Sequence, residues 1–91
     1  MSENKKEFTL KSYKSFFEDI YPQLCVFAYK YLNDLDTSKD LVQDVFVKVW
    51  EDQIAFHNEK HRTDYFYNAV KKECNNYLKT KHLLKPVFFL N

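Results

Sequence analysis

The 91-residue sequence contains no glycine and only two prolines, Pro22 and Pro86. Tight β-hairpins favour glycine at positions of positive φ, so its absence argues against an all-β fold. Cysteine is also scarce: Cys25 and Cys74 lie far apart among apolar residues, which favours two small buried thiols over a disulfide or a metal site. No apolar run reaches the length of a membrane span, and the polar N-terminus "MSENKKEF" contains no secretory signal. We therefore expect a cytoplasmic protein without membrane association.

The residues that are present indicate a single small folded domain. Hydrophobic residues make up 45% of the chain and aromatic residues 19%, too much for a largely disordered chain. Apolar residues recur at helical spacing in three segments, and each helix would bury its stripe only against the others. The pattern predicts an all-α fold, a compact bundle of three to four helices. We expect a flexible N-terminus over residues 1–10, the helical domain over 11–82 and a C-terminal tail over 83–91.

The helix boundaries follow from proline, loop and capping signals. The first helix is predicted from about Tyr13 to Leu32, either kinked or divided in two by Pro22. A loop at residues 33–36 precedes a second helix, which a capping box at Thr37 and Asp40 would open and which runs to about Asp52. In residues 53–63 the apolar residues have no regular spacing, and this segment is predicted to form a loop anchored by Phe56. A third helix is predicted from a cap at Thr63 or Asp64 to about Lys81.

The segment "DLVQDVF", residues 40–46, has a polar edge that needs explanation. At 100° per residue, one face of its helix is apolar and includes Leu41, Val42, Val45, Phe46, Val49 and Trp50. Asp40 and Asp44 lie opposite, Gln43 lies at the border, and Val47 falls within the polar sector. A polar patch around an apolar centre is typical of a surface on which a partner helix docks, and a plain solvated face is the alternative.

The third helix carries a second polar face, and the charge along the chain is uneven. Residues 1–60 have a net charge of −3, from eight lysines and eleven acidic residues, whereas residues 61–91 have +4, from six bases and two acids. Such asymmetry indicates two different partner surfaces, the basic one suited to an anion. The outer face combines groups that bind phosphates, base edges and unpaired bases: Arg62, Tyr65, Asn68, Lys72, Asn75, Asn76 and Lys79. A merely soluble outer face explains this pattern equally well.

Signals for catalysis or metal binding are weak. "HNEKH", residues 57–61, spaces two histidines as in a zinc-protease helix, but Asn58 stands where that motif has its glutamate base, and no third ligand is evident. The chain has no phosphate-binding glycine loop and no recognisable pairing of a nucleophile with a base. We expect no enzyme activity, no metal and no cofactor.

Three segments resemble region 2 of bacterial sigma factors, and most closely the extracytoplasmic-function group. They are "FFEDIYPQLCVFAYKYLND", "SKDLVQDVFVKVWED" and "YFYNAVKKECNNYLK", in that order over about residues 13–82. The resemblance implies a transcription initiation factor domain that binds RNA polymerase core and recognises the promoter minus-ten element as a separated non-template strand. The "DLVQ" helix would dock on a coiled coil of the polymerase β′ subunit through Asp40, Gln43, Asp44 and Val47.

The resemblance also assigns candidate DNA contacts to this chain. In the loop these are His57, Asn58, Lys60, His61 and Arg62, and on the third helix they are Tyr65, Lys71, Lys72, Asn75 and Lys79. One departure from the family pattern is Lys72, where the family commonly has asparagine. An anti-sigma factor is a further candidate partner.

Sigma factors of this group also have a second helical domain that reads the minus-thirty-five element. We expect this domain to be absent here, because the chain ends at Asn91, as either an excised fragment or a truncated product. The alternative function is therefore a helical protein-interaction module without DNA binding.

Overall fold

The computed structural model describes the backbone of residues 10–90 and the side chains of residues 12–80. It contains three helices: α1 (Leu10–Leu32), α2 (Leu35–Asp52) and α3 (Glu59–Leu90), with no strand in the described part. Each helix packs against the other two. The predicted all-α bundle is confirmed, and the described residues form three helices. The predicted flexible N-terminus, apart from Leu10, lies outside the described residues.

Pro22 does not divide the first helix. It lies inside α1 on the exposed side, where the missing N–H leaves one carbonyl of the previous turn without its helical donor. Next to this gap, the Gln23 side-chain amide donates to the carbonyl of Asp19 at 3.3 Å. The helix thus continues through the proline because the lost bond faces solvent and a neighbouring side chain adds a local bond.

The connection between α1 and α2 is shorter than predicted, since only Asn33 and Asp34 separate the helices. Asp34 has extended backbone angles, and its side chain accepts a hydrogen bond from the backbone N–H of Thr37 at 3.2 Å. The predicted capping box at Thr37 and Asp40 is therefore wrong. Asp34 caps the helix one turn earlier, because its carboxylate is placed to satisfy a free N–H of the first turn.

The third helix starts earlier and ends later than predicted. Asn58 accepts a hydrogen bond at its side-chain oxygen from the backbone N–H of His61 at 2.8 Å, and its carbonyl accepts from the N–H of Arg62 at 3.1 Å. Asn58, rather than Thr63 or Asp64, therefore caps α3. The helix continues to Leu90, beyond the predicted end near Lys81. The loop is limited to residues 53–58, and Phe56 anchors it as predicted, with its ring 5.3 Å from that of Tyr65.

The three helices share one core. Buried apolar side chains come from α1 (Phe16, Ile20, Leu24, Cys25, Ala28), α2 (Val42, Val45, Phe46, Val49) and α3 (Phe66, Val70, Cys74). Phenylalanine rings from the three helices meet at its centre. The ring centroid of Phe46 lies 4.5 Å from that of Phe66 and 5.9 Å from that of Phe16, and the centroids of Phe16 and Phe66 are 5.1 Å apart. Both cysteines are buried free thiols, as predicted. The shared core fixes the outer faces of α2 and α3 relative to each other.

Candidate functional site

The outer face of α2 carries the four predicted contact residues together. Asp40, Gln43, Asp44 and Val47, here called the α2 patch, are all exposed while the opposite side of the same helix fills the core. Val47 keeps 52% of its surface exposed, although it lies in the middle of the helix. No ion pair with Asp40 or Asp44 occurs among the described side chains. The α2 patch is thus acidic with an apolar centre.

One member of the α2 patch is bonded to the neighbouring helix. The Gln43 side-chain amide donates a hydrogen bond to the Tyr21 hydroxyl on α1 at 3.2 Å. The Tyr21 hydroxyl also hydrogen-bonds to the Cys25 thiol one turn further along α1. Burial raises the pKa of the Tyr21 hydroxyl, the hydrogen bond from Gln43 lowers it, and Cys25 and Asp40 add to the increase. The pKa remains above the ordinary value, so this hydroxyl stays protonated across the physiological range.

An apolar groove of about 350 Å³ adjoins the α2 patch at Val47. It lies between α1 and α2, with Lys14 and Glu51 among its lining residues. Its apolar lining is made by Tyr13, Phe17, Phe46, Val47 and Trp50. Sequence patterns did not reveal this groove, because Trp50 falls on the apolar face of α2 although it is only half-buried. The signal was present in the sequence, since the large tryptophan side chain is rarely buried completely.

The loop candidates His57, Asn58 and His61 form a local cluster rather than a free loop. The backbone N–H of His57 donates to Nδ1 of His61 at 3.2 Å. The two imidazole rings stack with centroids 5.2 Å apart. Asn58 is engaged in capping α3. The prediction that His61 lies in a loop is wrong, because the cap at Asn58 places it in the first turn of the helix.

Lys60 and Arg62 also belong to the first turns of α3 and not to the loop. Lys60 forms an exposed ion pair with Asp64 at 2.8 Å, and this hydrogen bond raises the pKa of Lys60. The Arg62 guanidinium lies over the Phe16 ring, with its central carbon 4.0 Å from the ring centroid. The buried Nε of Arg62 has no hydrogen-bond partner. Arg62 therefore packs against α1, and Lys60 already has an anionic partner.

The helical candidates fall into two groups. Lys71, Lys72, Asn75 and Lys79, here called the α3 stripe, are all exposed and lie within about 100° of one another around the helix. Tyr65 is different, because it is half-buried and packs against the core. Its expected exposure for base stacking is therefore wrong, and Phe56 covers part of the ring. The α3 stripe is a cationic face with one amide.

Other site types receive no support from the described part of the chain. No group of three or more histidine, cysteine, aspartate or glutamate side chains that could hold a metal occurs there. Within the same residues, no helix combines the length and the apolar character needed to cross a bilayer. The two histidines of "HNEKH" are thus a stacked pair at a helix start.

Comparison with known proteins identifies the family of this chain. The searches of curated proteins and of solved structures found no match. Residues 16–83 match the family model of sigma-70 region 2, a match that includes all of α2, the loop and most of the described part of α3. Members of this family are transcription initiation factor domains, not enzymes, and they act on RNA polymerase core and promoter DNA. The chain belongs to the sigma-70 region 2 family.

Proposed function

We propose that this domain, a member of the extracytoplasmic-function group, binds a coiled coil of the polymerase β′ subunit through the α2 patch. The observation that carries the proposal is Val47, an exposed apolar side chain surrounded by acceptors. Such an arrangement suits a helical partner that supplies one apolar contact and several hydrogen-bond donors. The adjoining apolar groove extends the surface toward Trp50 and increases the area that docking would bury.

The second part of the proposal assigns the promoter minus-ten element, as a separated non-template strand, to the α3 stripe. Lysines neutralise phosphates and asparagine bonds base edges. Lys60 and Arg62 contribute less, since one is paired with Asp64 and the other packs on Phe16. Acidic and basic faces on different helices of one rigid core allow the polymerase and the DNA to bind at the same time. A cytoplasmic location is part of this proposal, and an anti-sigma factor is a candidate competitor for the α2 patch.

Two exposed valines provide a matched test of polymerase docking. We expect Val47→Ser to weaken binding to purified core RNA polymerase about tenfold, the effect of losing a central apolar contact. Val26→Ser is the control, because Val26 is 58% exposed on α1, outside the α2 patch. Equal affinity for the two variants would refute docking through the α2 patch.

The DNA part is tested in the same preparation with a fluorescent single-stranded minus-ten oligonucleotide at two salt concentrations. We expect replacement of Lys72 and Lys79 with alanine to make the plot of log binding constant against log salt concentration less steep. Its slope should fall in magnitude by about 0.7 for each phosphate contact that is lost. A control with the same net charge replaces Lys30 and Lys39, which are exposed on α1 and α2. The absence of binding at low salt would instead favour an interaction module without DNA function.

A further inference from the structure

The hydrogen bond between Gln43 and Tyr21 restricts a side chain that would otherwise be mobile. Gln43 is exposed on α2, where a long amide side chain normally samples several rotamers. Here its Nε2 donates to the Tyr21 hydroxyl at 3.2 Å. With that nitrogen turned toward α1, the carbonyl oxygen of the same amide points away from the tyrosine.

Tyr21 is well suited to hold this bond. Its ring packs against Phe17 with centroids 4.7 Å apart, and its side chain is half-buried in the seam between α1 and α2. Its hydroxyl oxygen accepts the hydrogen bond from Nε2 of Gln43. The amide of Gln43 therefore binds through its NH₂ group, and the orientation of Gln43 is determined by the tyrosine.

The orientation has a consequence for the whole α2 patch. Asp40 and Asp44 present carboxylate oxygens, which only accept hydrogen bonds. With Gln43 turned as observed, its carbonyl oxygen is also available as an acceptor, so acceptors predominate among the three polar members of the patch and the second N–H of the Gln43 amide is their one remaining donor. Such a patch is complementary to arginine or lysine and unfavourable toward carboxylates.

We propose that Tyr21 is a positioning residue for the α2 patch, which holds Gln43 with its carbonyl oxygen outward and thereby selects a partner surface rich in arginine or lysine. The inference rests on the proposed docking of polymerase core to this patch. Fixing Gln43 before binding also removes part of the side-chain entropy that association would otherwise cost.

A double-mutant cycle tests the positioning role. Tyr21→Phe removes only the hydroxyl, and we expect it to weaken binding to core RNA polymerase about two- to fivefold. In a Gln43→Ala background the same substitution should have no further effect, because the side chain that it positions is gone. The control is Tyr31→Phe, at another half-buried tyrosine of α1, which should bind as the wild type does.

A second measurement separates positioning from a general loss of structure. In a ¹⁵N-correlated NMR spectrum of the full chain, the Gln43 side-chain NH₂ signals should move toward solvent-exposed values in Tyr21→Phe, while the core signals stay in place. An unchanged Gln43 signal would overturn the inference.

The possible failures can be told apart by the binding data. Wild-type affinity of Tyr21→Phe together with weakened binding of Val47→Ser would overturn the role of Tyr21 and leave the docking proposal standing. A full effect of Tyr21→Phe in the Gln43→Ala background would show direct contact with the partner instead of positioning. Wild-type binding by Val47→Ser and Gln43→Ala would overturn both proposals.

Discussion

Arg62 is a basic residue near the start of α3, and its side chain packs against α1. Its guanidinium lies 4.0 Å from the centroid of the Phe16 ring, and it lines a groove between α1 and α3 together with Ser15 and Asp19. A guanidinium over an aromatic face is weakly hydrated and attracted by the ring. The long stem covers apolar surface at the same time. Arg62 therefore links α3 to α1, although its charge and position in the sequence suggested a DNA contact.

Substitutions at Arg62 distinguish packing from DNA contact. We expect Arg62→Ala to lower the free energy of unfolding by about 1 kcal/mol, through lost cation–π attraction and stem packing. Arg62→Met keeps the packing volume and removes the unpaired buried Nε, so its stability should lie closer to that of the wild type. Urea unfolding followed by circular dichroism measures both variants. Unchanged stability in Arg62→Ala, with oligonucleotide binding reduced as strongly as in Lys72→Ala, would show that the side chain points outward to DNA.

At the residue scale, the sequence predicted the α2 patch better than the loop. The 3.6-residue period decides which α2 side chains face the core, so spacing alone placed Asp40, Asp44 and Val47 in the polar sector and Gln43 at its border. The environments of Arg62 and Tyr65 depend on contacts outside α3, with Phe16 on α1 and with Phe56 in the preceding loop. No local pattern encodes such tertiary contacts, and for this reason both residues were misplaced.

The C-terminal end of α2 has a well-defined stop signal built without glycine. Gln53 has φ 51° and ψ 47°, in the left-handed region. The N–H of Gln53 donates to the carbonyl of Trp50 at 3.1 Å, and the N–H of Ile54 donates to that of Val49 at 3.3 Å. This pair of bonds is a Schellman motif, in which glycine is the favoured left-handed residue because it has no Cβ. The helix thus ends at some conformational cost to Gln53.

Glycine at this position should relieve that cost. We expect Gln53→Gly to raise the free energy of unfolding by up to about 1 kcal/mol, since the left-handed conformation costs a non-glycine residue roughly 1–2 kcal/mol and glycine loses more backbone entropy on folding. The same substitution at Gln23, inside α1, should lower stability by about 1 kcal/mol. Thermal and urea unfolding of the two variants gives the comparison. A loss of stability in Gln53→Gly would mean that the side chain of Gln53 contributes more than its backbone conformation costs.

At the scale of elements, the existence of the helices was predictable and several of their ends were not. Long apolar stripes identified all three helices, and the end of α2 at Asp52 was placed correctly. The starts of α2 and α3 were wrong because "NDLDTSKD" and "HNEKHRTD" each contain more than one capping residue. In the structure Asp34 and Asn58 cap the two helices, rather than Thr37 and Thr63. Which residue becomes the cap depends on the point at which the preceding chain leaves the core.

The molecule as a whole is held by one core, and both thiols belong to it. Cys25 on α1 is 5% exposed and Cys74 on α3 is 0% exposed. Burial raises the pKa of each thiol above its ordinary value, although the Tyr21 hydrogen bond and Lys39 partly oppose this at Cys25. Glu73 adds to the increase at Cys74. Ionising either thiol therefore opposes folding.

The sign of this effect predicts a loss of stability in alkali. A group whose pKa is higher in the folded state than in the unfolded state stabilises the fold fully at pH values below its unfolded pKa. This stabilisation is lost as the pH rises through the pKa of the folded state. We expect the free energy of unfolding, measured with urea under reducing conditions, to fall as pH rises above about 9, by up to about 1.4 kcal/mol per pH unit for each thiol. Replacing both Cys25 and Cys74 with alanine lowers stability at pH 7 through the lost packing. The double variant should nevertheless show a flatter dependence between pH 8.5 and 10, before tyrosine ionisation becomes important. An equal slope in wild type and variant would mean that the buried thiols do not control the alkaline response of the fold.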